Sequence, residues 1–222
     1  MTAVSASFAA FPRAPGERFD RLDAWRGAAL VWMACFHFCF DLNWLRLWRP
    51  VQHFTLDPFW TVQRTCIVSL FLLCAGVGQA VAIEARQGWP RFWRRWSQVA
   101  ACALLVSAGS AWMFPPSWIS FGVLHAMAVM WLLVRLAVPP LVRRWGGASL
   151  VCQALLWGTA LLAWMGPHLW SDPLFDQRWL WWAGLVTTLP LTEDYVPLMP
   201  WLSVLLAGVA AGLWLLARRR QW

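Results

Sequence analysis

The stretch Phe59 to Ile83, FWTVQRTCIVSLFLLCAGVGQAVAI, decides the solvent in which this chain folds. As a helix it would run about 37 Å, more than the roughly 30 Å of hydrocarbon in a bilayer, and Arg64 is its one charged residue. Similar runs recur at Gly27 to Leu47, Ser97 to Phe114, Trp118 to Val138, Ser149 to Gly166 and Met199 to Ala217, so the sequence predicts six membrane-crossing helices. Strands are excluded. An open sheet edge in lipid leaves backbone groups unpaired, and the alternation of a barrel strand is missing. The run Trp179 to Leu189 is too short to cross and ends at Pro190, so it reads as a re-entrant or interfacial helix. The expected fold class is an all-α polytopic membrane protein.

Composition agrees, because 222 residues that are 60% hydrophobic and 13% charged hold more apolar surface than one soluble core can bury. The net charge of +8 does not mark a nucleic-acid partner: all 18 basic residues are arginine and most sit beside the apolar runs. With six crossings, one side collects the N-terminal arginines, Arg86, Arg91, Arg94, Arg95, Arg143, Arg144 and Arg218 to Arg220. Both termini are therefore expected in the cytoplasm. The domain reading is a tail at residues 1–22, with no apolar core of signal-peptide length, and a single transmembrane domain at 23–220. Many of the 21 tryptophans flank the spans as interfacial aromatics. All six cysteines fall inside spans, so neither a disulfide nor a Cys/His metal site is expected.

Ionisable groups inside a span cost several kcal/mol unless paired or wetted. His37 and Asp41 on the first helix, Arg64 on the second and His125 on the fourth are such groups. Arg26 and His37 are eleven residues apart, so they share one helix face at a separation of roughly 16 Å. Asp41, one turn beyond His37, would reach the imidazole or a neighbouring helix, and Arg64 at similar depth would neutralise it. Such a pair would equally serve to staple two helices, and His125 to pack. Gly76 and Gly78 read as sites of close helix packing.

The motifs Arg21-Leu-Asp23-Ala-Trp-Arg26-Gly27, His37-Phe-Cys-Phe-Asp41-Leu, Phe71-Leu-Leu-Cys-Ala-Gly76, Ile119-Ser-Phe-Gly122-Val-Leu-His125 and Asp194-Tyr-Val-Pro197-Leu-Met-Pro200-Trp201 occur in that order. Together they resemble the bacterial heparan-α-glucosaminide N-acetyltransferase catalytic-domain family, over roughly residues 18 to 216. The wider transmembrane acyltransferase group has Arg-x10-His on its first helix, matched by Arg26 and His37, and some members have a cytoplasmic Arg-x-x-Arg, matched by Arg91 and Arg94.

The resemblance implies transfer of an acyl group from acetyl-CoA to an amine or hydroxyl of a glycan or amino-sugar acceptor across the bacterial inner membrane. Arg26, Arg91, Arg94 and Arg95 would hold the CoA phosphates. The pantetheine arm would follow the first helix towards His37. His37 would act as general base oriented by Asp41, or as nucleophile. His53 is a second candidate, since large eukaryotic members carry their active histidine near that outer loop. Arg64 and His125 would support the acceptor side, and no metal is implied.

Two other classes fit the same residues. His37 and His125 on different helices would serve as axial ligands of a b-type haem, or flank a quinone. His37, Asp41 and Arg64 would line a transporter or proton pathway, for which six helices without an internal repeat require a homo-oligomer to alternate access.

Overall fold

In a computed structural model, residues 20–219 are described. They form six α-helices: α1 (Asp20–Trp44), α2 (Pro58–Glu84), α3 (Trp89–Met113), α4 (Val123–Trp145), α5 (Leu150–Leu169) and α6 (Leu198–Arg219). No strand occurs among the described residues. Four helices, α2, α4, α5 and α6, are long and apolar enough to cross a membrane, so the chain is a multi-pass membrane protein. The other two, α1 and α3, are as long, at 25 residues each, but carry more polar side chains.

Local chemistry sets the helix starts. Asp57 caps α2, its carboxylate accepting the Phe59 N–H at 2.8 Å, and Pro58 sits in the first turn where no N–H is needed. Ser149 caps α5 through the Cys152 N–H at 3.2 Å. In the first turn of α6, Met199 is extended rather than helical, the conformation favoured before a proline.

The core lies on α6, which packs along α2 on one side and α5 on the other. Leu72, Leu205, Val209, Ala210 and Leu213 are completely buried there. A side-chain carbon on Gly76 would overlap the Leu205 and Val209 backbone, and one on Gly208 would overlap Leu73. The two helices thus touch backbone to backbone, as small residues allow in membranes. The helix α1 packs against α2 through Ala29, Phe36 and Phe40, and Trp32 Nε1 donates to Gln63 at 3.1 Å. The loop residue Phe54 plugs the outer end of that contact, stacked on Trp60 at 4.1 Å and edge-on to Phe36 and Phe40.

Two expectations are corrected. The helix expected over Trp179 to Leu189 is absent; the segment holds a single 3-10 turn at Trp181–Ala183, after another at Pro173–Asp176. Gly184 leaves that turn with φ +84°, in a crevice where a side chain would overlap Met199. Asp176 pulls the following residues away, accepting the Thr187 N–H at 2.7 Å. These bonds, Thr187's hydroxyl first, hold its carboxyl below the usual aspartate range. Likewise α4 begins at Val123, not Trp118, because residues 117–122 are bound into the outer loops.

Candidate active site

The helices α1 and α3 share no packed length: α1 leans on α2 and α3 on α4. They meet at their outer ends, where the rings of Trp44 and Phe114 lie 6.0 Å apart. The gap this leaves between α1 and α3, backed by the packed pair α2 and α4, is termed the cleft.

At the inner end, Arg26, Arg95 and Arg135 converge from α1, α3 and α4 on one pocket. Arg26 pairs with Asp23 at 3.2 Å. Its guanidinium lies over Gly78, where any side chain would collide with it. Gly78 therefore makes room for Arg26, and Gly76 alone serves helix packing. Arg135 is braced on three sides: its Nη2 donates to the Gln87 carbonyl, and its guanidinium carbon sits 4.9 Å from the Trp89 ring centre and 5.6 Å from that of Phe92. One turn earlier on α4, Trp131 lines the same pocket. Its Nε1, like Arg135 Nε, is buried with no hydrogen-bond partner.

At the outer end the organising residue is Asp194. Its Oδ2 accepts the Val123 N–H at 2.8 Å in the first turn of α4, against Gly122, where a side chain would strike the carboxylate. Neighbouring bonds fix the segment: Glu193 N–H to the Ser117 carbonyl at 2.9 Å, Ser117 Oγ to Glu193 at 2.5 Å and Thr192 Oγ to the Trp118 carbonyl at 3.1 Å. Burial pushes the Asp194 carboxyl above the usual range, while the Val123 N–H and then the charges of Arg64 and His37 act to lower it. Both side chains therefore lie within electrostatic reach of one carboxylate.

The two ends are in register. Arg26 to His37 on α1 spans eleven residues, and so does Arg64 to Ala75 on α2, where Ala75 lines the inner pocket; each interval is roughly 16 Å. Val68 and Phe71, between them on the same face of α2, are half-buried and apolar. The cleft offers cations at one end, an apolar wall, then an imidazole and a carboxylate.

Other residues singled out from sequence fall elsewhere. Asp41 is exposed, as His37 and Arg64 are, and stands one turn beyond His37 on the same face of α1. It forms no ion pair with Arg64. Arg91 and Arg94 are exposed on α3 and do not line the inner pocket. His53 also is exposed, its carbonyl closing a turn onto the N–H groups of Leu56 and Asp57. His125 has both ring nitrogens engaged: Nδ1 accepts the Gly122 N–H at 3.2 Å, so Nε2 carries the proton and faces Ser107 Oγ at 3.0 Å. That leaves no lone pair for a haem iron. Among the described residues no group of three His, Cys, Asp or Glu side chains gathers for a metal.

The family model described as heparan-alpha-glucosaminide N-acetyltransferase, catalytic, matches residues 18–222. The chain belongs to that family. No curated protein and no solved structure matches it. An N-acetyltransferase catalytic domain needs a donor seat, a proton acceptor and a route between them. The cleft has groups suited to each. Arg135 and Trp131 escaped the sequence reading, and Asp194 entered it only as part of a family motif, without a role. Arg135 carries the same signal as Arg64, a charge within a long apolar helix, but Asp194 lies in a loop and shows its place only once α4 is capped.

Proposed function

We propose that the chain is a membrane acyltransferase that moves an acetyl group from cytoplasmic acetyl-CoA to an amine or hydroxyl of a sugar-like acceptor on the outer face of a bacterial inner membrane. Residues 23–220 form the acyltransferase domain, with six crossings, both termini cytoplasmic and residues 1–22 as a tail. The arginine-rich loops on one side support this orientation. The observation that carries the reading is an arginine pocket shared by α1, α3 and α4, with His37 roughly 16 Å from Arg26 along α1 and within electrostatic reach of Asp194, a distance comparable to a pantetheine arm.

Arg26 and Arg95 hold the donor's phosphates through charge-assisted bonds. The thioester reaches the level of His37. The acceptor nitrogen or oxygen attacks the thioester carbonyl, its proton passes to the His37 imidazole, the new C–N or C–O bond forms, and the C–S bond breaks. The leaving thiolate then takes that proton. Asp194 favours the imidazolium that forms on the way, and Arg64 faces the oxyanion side. Asp41 and His53 take no part in this sequence.

The experiment is transfer of labelled acetyl from acetyl-CoA to amino sugars and cell-envelope glycan fractions by the purified protein in lipid nanodiscs. Label appears in an acceptor with the wild type and not with His37→Ala. Equal transfer by His37→Ala removes His37 from the reaction, and no transfer to any acceptor removes the activity.

A further inference from the structure

Arg135 and Trp131 stand one turn apart on the same face of α4, and each keeps a buried N–H without a protein acceptor. Indole Nε1 is a donor only, and guanidinium Nε cannot lose its proton in a protein, so neither atom escapes by changing state. A buried donor left unmade costs about 1–3 kcal/mol, and two beside one pocket are a cost the fold retains. Arg135 is moreover not free to swing away: Gln87 holds Nη2, and the rings of Trp89 and Phe92 hold its plane. The unmet Arg135 Nε–H direction is therefore fixed before any ligand arrives, with Trp131 packed beside it against the core. Arg26 and Arg95 add two further positive charges at the same place, and no carboxylate lines the pocket.

We infer that Trp131 Nε1 and Arg135 Nε form a preset two-pronged seat for one phosphate group of the donor, the specificity-determining contact of the inner pocket. This rests on the acyl-CoA reading above. An oxyanion has lone pairs for both prongs, and two rigid donors select a tetrahedral anion by direction as well as charge. Arg26, which already shares its charge with Asp23, and Arg95 serve the remaining phosphates as general attraction.

The test is calorimetric binding of CoA, and separately of inorganic pyrophosphate, to the full chain in nanodiscs. The variants are Trp131→Phe, which keeps the ring and removes one N–H, Arg135→Gln and Arg135→Lys. The seat predicts that Trp131→Phe weakens CoA roughly tenfold, and that Arg135→Lys, despite its charge, restores little of what Arg135→Gln loses. Circular dichroism shows whether each variant is folded, and Trp131→Phe carries the test if Arg135→Gln is not. Unchanged CoA affinity in Trp131→Phe, or full rescue by Arg135→Lys, overturns the seat while leaving the donor reading intact. Binding of pyrophosphate that is lost in Trp131→Phe, with no binding of CoA to the wild type, supports the seat and overturns the donor reading instead.

Discussion

Gly76 and Gly208 bring α2 and α6 backbone to backbone, whereas α1 and α3 share no packed length, meeting through Trp44 and Phe114 at one end and flanking one pocket at the other. The first seam is dry, apolar and closed. The second is open along its length and carries His37 and three of the pocket's guanidinium groups on or beside it. The contrast teaches how a small membrane protein keeps costly groups: α2, α5 and α6 supply cohesion, so that α1 and α3 need not close upon each other.

The sharpest way to break that contrast is at His37. His37→Ala is expected to cut acetyl transfer by roughly a hundred- to ten-thousand-fold, while CoA affinity and thermal stability stay at wild-type values. A parallel fall in melting temperature would mean that the cleft is cohesive after all. On the other seam, Leu205→Ala empties a fully buried position and is expected to cost about 2–5 kcal/mol in detergent unfolding. Its kcat at permissive temperature should match the wild type, and a selective loss of kcat would merge the two regions.

A smaller effect is expected from acid. The Asp194 carboxyl protonates at a higher pH than an ordinary aspartate, so transfer should fall as pH drops through that raised value. Stability runs the other way: the folded state favours the neutral form, and its contribution is lost as pH rises through the same value. Asp194→Asn, whose amide oxygen still accepts the Val123 N–H, should be slower but lack this acid limb. A limb that persists in the variant assigns it to another group. Least of all, Asp41→Asn should change stability by no more than about 0.5 kcal/mol and leave transfer intact. A large loss would return Asp41 to the site.

Long apolar runs made α2 and α6 legible to within two residues at either end, and α5 to within three, because span length and composition alone fix such helices. The start of α4 was not, since it depends on Asp194, more than seventy residues away in the chain, reaching the Val123 N–H. Arg26 and His37 were readable as one stripe from helical period alone. The Asp41–Arg64 pair was misread because similar depth in the membrane was taken for contact: Asp41 keeps the His37 face of α1, but no ion pair joins it to Arg64. Arg91 and Arg94 fitted a motif spacing, yet Arg95, next along α3, is the one that turns into the pocket. Spacing within one helix is local knowledge; which neighbour a face meets is not.

The partnership of α2 with α6 also bears on how the chain is made. Over a hundred residues separate the end of one from the start of the other, so during synthesis α2 must wait in the bilayer while three further helices are inserted. Until α6 arrives, Gly76 faces lipid with nothing to fill its groove. The helices α1 to α4 that flank the cleft are thus delivered before the seam that steadies them, and Asp194 emerges only just ahead of α6.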